Sequence, residues 1–251
     1  MWKKNKFRIL GGILIMSIGL NITGCSNGES GNDNENKNKN YAEVALEALE
    51  ERYGEPFELK QVGGTFGANR NTKKLICNPV SNPNTYCFVE VESDKTEVHD
   101  DYANRIMEER YAGMLEEEAK KIFDEELNVK VSFNPFYDRY PYLDMELLEF
   151  YKDNVHSHYS IHLFINSSEN INKESETIKV NEFANKIIDI GLNKTSGITA
   201  WYVDEETFNE VNSKYYEIQL GGTVSKYYIE NEKFYDYVSV LIKDGVIVEK
   251  F

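Results

Sequence analysis

The sequence lacks the short motifs that mark the common catalytic and cofactor-binding sites. It contains no HExxH, GxSxG, SxxK or EF-hand pattern, and its three cysteines do not form CxxC. The glycine-rich segment 63–71, GGTFGANRN, has neither the GxxxxGK[ST] nor the GxGxxG spacing, so it does not predict a phosphate cradle. These absences leave no motif for a zinc protease, a serine hydrolase or a thioredoxin-like protein. We therefore predict no catalytic residue, metal ligand or cofactor from motifs, although an acid and a base could still meet in space.

The chain is also poor in positive charge. It has 28 Lys and Arg against 43 Asp and Glu, which gives a formal net charge of -15 at pH 7. Residues 1–24 hold four of the basic residues and no acidic one, so the remainder carries -19. Nucleic acid and anionic lipid surfaces would be repelled by this charge. The composition therefore excludes a nucleic-acid partner and favours solubility.

No apolar run is as long as a membrane-spanning helix normally requires. The basic start MWKKNKFR leads into the apolar run Ile9–Ile22, which is about 14 residues long, whereas a spanning helix needs about 20. A basic start followed by a short apolar run is the layout of a secretory signal. We therefore predict that residues 1–24 are a signal peptide; an uncleaved N-terminal anchor is the alternative.

The apolar run ends at a single cysteine. Ile22-Thr23-Gly24-Cys25, with Leu20 just upstream, resembles the lipobox of bacterial lipoproteins. The resemblance implies transfer of a diacylglyceryl group to the Cys25 sulfur, cleavage before Cys25, and acylation of the new amino terminus. Two acyl chains hold a protein stably on a bilayer. The expected location is thus the cell membrane, lipid-anchored, on its extracytoplasmic face.

The segment after Cys25 contains no apolar side chain. Residues 26–40 read SNGESGNDNENKNKN, so we predict that 25–40 form the lipidated cysteine and a disordered tether. Together with the helix-like ALEALEERYGEPF that follows, the chain resembles functionally uncharacterised lipoproteins of low-GC Gram-positive bacteria. That resemblance implies no catalytic residue.

Hydrophobic periodicity predicts an α+β fold with one or two small antiparallel-sheet units, each packed with helices. The first unit covers residues 41–135, with a helix at 41–53 and a longer one from Asp100 or Asp101 to about Leu127. Its strands are predicted at 57–62, 73–77, 86–92 and 129–133.

The second unit covers residues 136–251 and ends in a β-hairpin. Its helices are predicted around 180–192 and at 205–212. Its strands are predicted at 158–166, 198–203, 216–220, 223–229, 235–243 and 246–251. Asp244-Gly245 lies between the last two strands and favours a type I′ turn, whose two central residues need positive φ.

Cys77 and Cys87 flank the turn-forming segment NPVSNPN, so they would lie near the two ends of a hairpin turn. Outside the cytoplasm, such a pair can form a disulfide that closes a short loop and contributes about 2–3 kcal/mol. Two reduced, unrelated thiols are the alternative.

Three histidines, His156, His158 and His162, would share one face of the predicted strand together with Ser160. However, His158 and His162 would stand about 13 Å apart along a strand that rises 3.3 Å per residue. One metal ion cannot bind both, because a Zn–N bond is only about 2 Å long. We therefore predict a polar face without a metal, opposite an apolar face that carries Tyr159, Ile161, Leu163 and Ile165. A metal held by His156 and His158 with further ligands from elsewhere is the alternative.

The segment 134–144, NPFYDRYPYLD, gathers aromatic rings around an arginine. Protein interfaces and sugar-binding clefts use such groups, because they bury a large area at a small entropic cost. A loop that lays its rings over the edge of a core is the alternative. The residues of this candidate binding loop are Phe136, Tyr137, Arg139, Tyr140 and Tyr142.

Taken together, these features indicate a lipid-anchored cell-surface protein whose α+β domain binds a protein, a peptide or a small ligand without catalysing a reaction. The alternative is an envelope hydrolase with a spatially assembled or metal-dependent site.

Overall fold

A computed structural model describes residues 39–63, 72–133, 140–154, 158–168, 170–221 and 223–250. The predicted signal peptide, Cys25 and nearly all of the predicted tether lie outside these residues. The helices are α1 (Tyr41–Tyr53), α2 (Tyr102–Ala119), α3 (Leu147–Asn154), α4 (Lys173–Ile190), α5 (Glu205–Gly221) and α6 (Val224–Glu230). The strands are β1 (Phe57–Val62), β2 (Thr72–Pro79), β3 (Cys87–Glu92), β4 (Val98–Asp100), β5 (Leu127–Phe133), β6 (Tyr159–Asn166), β7 (Ser196–Val203), β8 (Asp236–Lys243) and β9 (Val246–Lys250).

The first sheet has the order β1-β2-β3-β4 and is antiparallel throughout. Helix α1 covers one of its faces and begins with a capping box, in which the side chains of Asn40 and Glu43 each accept a backbone N–H of the other residue. Gly54 ends the helix with a φ of 71°, a conformation that glycine adopts without steric penalty. The chain therefore turns from α1 directly into β1.

The second sheet has the order β5-β6-β7-β8-β9. Among its described strands only β6 and β7 pair in parallel, and α4 makes the crossover between them. Strand β5 pairs with β6 from Leu127↔Ile165 to Phe133↔Tyr159. This pairing corrects the predicted assignment of β5 to the unit 41–135, since β5 belongs to the sheet of the second unit.

Both faces of the second sheet are covered. We call the face packed against α2, α3 and α4 the α4 face, and the face packed against α5 and α6 the α5–α6 face. Ile161 and Leu163 of β6 are fully buried on the α4 face, as predicted. On the α5–α6 face, Phe164 and Trp201 share a cluster with Ile76 of the first sheet. Helices α5 and α6 therefore lie between the two sheets.

The prediction of strands at 216–220 and 223–229 is wrong, because these segments lie in α5 and α6. Their tyrosines and isoleucines favour strands when they are considered singly. Burial at helical spacing overrides that preference, as Phe208, Val211, Tyr215 and Ile218 all enter the core. Thr223 caps α6 by accepting a hydrogen bond from the backbone N–H of Lys226.

Several other boundaries differ from the prediction. Helix α2 ends at Ala119, because the chain turns there before Leu127 begins β5. Strand β4 and helix α3 were not predicted. The hairpin turn is confirmed, with φ of 51° at Asp244 and 76° at Gly245. Within the described ranges, no helix is long and apolar enough to cross a membrane.

Candidate functional site

A cleft of about 460 Å³ lies where the two sheets, α2 and the α5–α6 pair meet. We call it the junction cleft. Its walls come from strands β3, β5 and β6, helix α2, the end of α5 and the start of α6. The cleft therefore contacts both sheets and the helices between them. Its lining residues are Phe88, Arg105, Ser132, Phe133, Ser160, His162, Gln219, Thr223, Val224 and Ser225.

One face of α2 contributes a buried ion network to the cleft. Asp101, Arg105 and Glu108 are spaced i, i+4 and i+7, which aligns them along the helix. Arg105 Nη1 donates to Glu108 Oε2 at 2.8 Å, and Arg105 Nη2 donates to Asp101 Oδ2 at 3.4 Å. All three residues are buried. Removing any one of them would leave buried charge without compensation.

The two carboxylates also fasten α2 to both sheets. Asp101 Oδ1 accepts the backbone N–H of Phe88 in β3 at 2.7 Å. Glu108 Oε1 accepts the backbone N–H of Phe133 in β5 at 2.7 Å. Charge-assisted bonds of this kind are stronger than neutral ones. The ion network thus positions the two sheets across the cleft.

Arg105 connects the network to α5. Its Nη1 also donates to Gln219 Oε1 at 3.1 Å, and Gln219 Nε2 donates to Ser132 Oγ at 2.9 Å. The guanidinium carbon stands 5.5 Å from the centroid of the Tyr216 ring. Arg105 Nε is buried, and no described residue accepts a hydrogen bond from it.

The protonation of the network follows from burial and pairing. Burial raises the pKa of Asp101 and of Glu108, because leaving water penalises a carboxylate, and Arg105 opposes that rise. Burial alone would lower the pKa of Arg105, but Glu108 and Asp101 hold it above its usual value. Arg105 therefore remains a cation, and its charge is neutralised locally.

His162 lines the cleft from β6 and is buried. Burial lowers its pKa to about 4, so the ring is neutral at pH 7. Trp201 Nε1 donates to His162 Nδ1 at 3.1 Å. Because Nδ1 accepts this bond, the proton of the neutral ring must lie on Nε2.

Among the described residues of its lining, the cleft offers hydrogen-bond donors and hydroxyl groups but no carboxylate, and the acceptor nitrogen of its histidine is already bonded. His162 already carries its proton on Nε2 and accepts a bond at Nδ1. The Glu108 oxygens accept bonds from Phe133 and Arg105. General base catalysis needs a free lone pair within reach of a substrate. This arrangement is suited to holding a polar ligand.

The described part of the candidate binding loop is not among the residues that line the cleft. Phe136, Tyr137 and Arg139 lie outside the described residues. Tyr140 and Tyr142 belong to a 3-10 helix, Tyr140–Tyr142, and are exposed. The Tyr140 ring meets the Tyr53 ring edge-on at 5.2 Å, which is a contact with the C-terminal end of α1.

The predicted polar histidine face is wrong for His162, because α5 and α6 cover that face with aromatic rings. The ring centroids of Tyr215 in α5 and of Trp201 in the neighbouring strand β7 lie within 6.4 Å of the imidazole centroid. His158 is exposed, and His156 lies outside the described residues. In the part of the chain that the structure describes, no group of three or more His, Cys, Asp or Glu is arranged to hold a metal ion.

Cys77 and Cys87 are both buried free thiols. They are directly opposite each other in the β2–β3 register, and Cys87 Sγ donates to the Cys77 carbonyl at 3.4 Å. Burial raises the pKa of the Cys77 thiol to about 12 and that of Cys87 well above its usual value. Directly opposed strand residues lie at a separation that a disulfide can span, so the bridge stays a prediction.

No sequence motif indicated the ion network directly. Asp100 and Asp101 read as ordinary helix-start residues, yet both are fully buried. Asp100 holds α1 instead, through the Arg52 guanidinium and the Tyr53 hydroxyl. The i, i+4, i+7 spacing of Asp101, Arg105 and Glu108 was the available signal, and it equally fits an exposed helix face.

Comparison with protein-family models and with curated proteins finds no match. Among solved structures, the fold is similar to the crystal structure of a DUF5037 family protein from Ruminococcus gnavus. The TM-score is 0.53 at 14% sequence identity, and the match covers 84% of this chain and 95% of that one. At this identity, the likeness shows a shared fold.

Proposed function

We propose that this chain is a lipid-anchored protein on the extracytoplasmic face of the cell membrane, and that its α+β domain binds a small ligand in the junction cleft without catalysing a reaction. The observation that carries the binding function is the buried Nε of Arg105, which has no acceptor among the described residues and lies with the His162 side chain at a cleft of about 460 Å³. Small-molecule sites commonly have this size and lie where structural layers meet.

The anchor rests on the amino-terminal sequence. A basic start, a short apolar run and Ile22-Thr23-Gly24-Cys25 form the lipoprotein signal pattern. The apolar-free segment 26–40 follows. As a flexible chain, it would hold the folded domain about 20 Å from the bilayer, which leaves a cleft accessible to molecules outside the cell.

Binding is favoured over hydrolysis by the state of the titratable groups in the cleft. Arg105 and Glu108 are paired with each other, and His162 Nδ1 accepts the Trp201 N–H. A hydrolase needs an activated nucleophile or an available base. The N–H groups of Arg105 and His162 serve well as fixed donors, which give a ligand its orientation.

The anchor is tested by replacing the acylated cysteine. Cys25→Ser should move the protein from the detergent phase to the aqueous phase in a detergent partitioning experiment, because no thioether can form. The neighbouring substitution Ser26→Ala is the matched control and should leave partitioning unchanged. Equal detergent partitioning of the Cys25→Ser protein would refute the lipid anchor.

Ligand binding is tested by filling the cleft. Ser225→Trp places a large ring at its lining, whereas Lys226→Trp changes the adjacent, exposed residue outside that lining. A panel of sugars, amino acids, short peptides and nucleosides should include ligands that raise the melting temperature of the wild type and of Lys226→Trp. These ligands should have no effect on Ser225→Trp. An unchanged response of Ser225→Trp would move the binding site elsewhere.

A further inference from the structure

The chemistry of the cleft narrows the ligand to one class, and this inference rests on the binding function proposed above. The first constraint is the orientation of His162. The two ring nitrogens lie on opposite sides of Cε1, so Nε2 points away from Trp201, which occupies Nδ1. No described residue accepts a hydrogen bond from Nε2. The ring therefore presents a fixed N–H donor that only a ligand or water can satisfy.

Arg105 supplies the second constraint. Its two terminal nitrogens are bound by Glu108, Asp101 and Gln219, while Nε finds no acceptor among the described residues. A buried donor without a partner is costly. This buried donor, together with the His162 N–H at the same cleft, calls for a ligand that is rich in hydrogen-bond acceptors.

Charge supplies the third constraint. Two carboxylates surround one guanidinium, so an anionic ligand would enter a site whose positive charge is already neutralised. Asp101 and Glu108 are not among the described residues that line the cleft, and both pair with Arg105, so a cationic ligand would meet the guanidinium before it met a carboxylate. The electrostatics thus favour an uncharged ligand.

The remaining lining combines hydroxyl groups with apolar surface. Ser132, Ser160 and Ser225 carry hydroxyls that donate and accept, while Phe88 and Val224 present apolar surface. A sugar has the same two properties, since its hydroxyls and ring oxygen accept bonds while its C–H faces pack on aromatic rings. We infer that the junction cleft binds an uncharged saccharide, and that the buried N–H groups of His162 and Arg105 recognise its oxygen atoms.

The test uses the full-length protein in a detergent without a sugar headgroup, with titration calorimetry as the readout. The probes are glucose, N-acetylglucosamine and maltose, together with the charged counterparts glucuronate and glucosamine. At least one neutral sugar should bind, and its charged counterpart should bind about tenfold more weakly or worse. His162→Phe should weaken binding by about tenfold, because it removes one donor.

Two variants keep the result interpretable. His162→Gln retains an N–H donor and should recover much of the affinity that His162→Phe loses, whereas a purely structural role predicts equal losses. His158→Phe changes an exposed histidine outside the cleft lining and should bind as the wild type does. Circular dichroism checks that each variant is folded.

The outcomes separate the two proposals. Equal or tighter binding of the charged sugars, or unchanged affinity of His162→Phe, would overturn the saccharide assignment and leave ligand binding in place. Binding of another class of the wider panel, with response lost in Ser225→Trp, would do the same. If no member of either panel binds, the proposed binding function fails with it.

Discussion

The two faces of the five-stranded sheet are covered by helices in different ways. The α4 face packs mainly aliphatic residues, such as Ile161, Leu163 and Val180, which are fully buried. The α5–α6 face packs mainly aromatic residues, such as Phe164, Trp201 and Tyr215. The junction cleft opens beside this second cluster.

The difference teaches that one face of a sheet can form a closely packed core while the other carries polar atoms beside the proposed binding cleft. Aliphatic side chains fill space closely and need no polar partner. Trp201 and Tyr215 bring polar atoms into the interior, and such atoms need partners there. The Trp201–His162 bond is one consequence, since it fixes the imidazole tautomer at the cleft. Four predictions follow this contrast, in order of decreasing expected effect.

The largest effect is expected beside the α5–α6 face. Arg105→Met should lower the free energy of unfolding by about 3–5 kcal/mol, because Asp101 and Glu108 would be left as unpaired buried charges. Arg110→Met, at an exposed position of the same helix, should cost less than about 1 kcal/mol. Urea unfolding measures both. Adding Asp101→Asn and Glu108→Gln to Arg105→Met should recover part of the loss, and no recovery would show that packing dominates.

On the α4 face, cavity formation should decide the outcome. Ile187→Ala should cost about 2–5 kcal/mol, since the side chain is fully buried. Ile178→Ala makes the same change in the same helix, at a side chain that is 64% exposed, and should stay within about 0.5 kcal/mol. Similar losses in the two variants would contradict the assignment of the α4 face as a closely packed core.

The α5–α6 face should make stability depend on pH through His162. Its pKa falls from 6.5 to about 4 on folding, so unfolded chains bind the proton more tightly. The stability that this group contributes is complete above about pH 6.5 and is lost as pH falls towards 4. The loss amounts to about 3 kcal/mol. Urea unfolding of the wild type and of His162→Gln at pH 7 and at pH 4 measures this loss. The difference in unfolding free energy between the two proteins should change by this amount from pH 7 to pH 4. A difference that stays constant would refute the lowered pKa of His162.

The smallest effect is expected in the core between α1 and the first sheet. This core belongs to neither face of the second sheet, so it allows comparison with both. Refolding with oxidised glutathione should join Cys77 to Cys87 by thiol–disulfide exchange, with reduced glutathione as the product. The bridge should stabilise the chain by about 2–3 kcal/mol. Thiol titration and the melting temperature measure these changes, with the double variant Cys77→Ser/Cys87→Ser as the control. Free thiols after this treatment would indicate that the packed core excludes the bridge.

Much of the fold was predictable from local patterns. Helix α1 was predicted with its observed bounds, because Asn40 and Gly54 mark its ends. The alternation in β6 correctly placed Ile161 and Leu163 in the core. Asp244-Gly245 identified the last hairpin, since positive φ suits few residues. Each of these signals is carried by neighbours in the sequence.

The candidate site was not predictable, because it is assembled from distant residues. Tyr216 and Tyr228 favour strands locally, so the second half of α5 and all of α6 were missed, and the face that they cover was taken to be polar. Because the prediction lacked the helices that cover this face, it placed His162 at the surface. Gln219 could not be connected with Arg105, because only tertiary packing brings them together.

The order of the strands also sets the order in which the cleft can form. Strands β1 to β4 pair with sequence neighbours across Phe57 to Asp100, so the first sheet closes only short loops. Strand β5 can pair only after β6 has been synthesised. Strand β7 can pair with β8 only after α5 and α6, which lie between them in the chain, have been synthesised. Chains that emerge amino terminus first can therefore complete the first sheet early. The proposed ligand binding requires a chain that has folded through to these last helices.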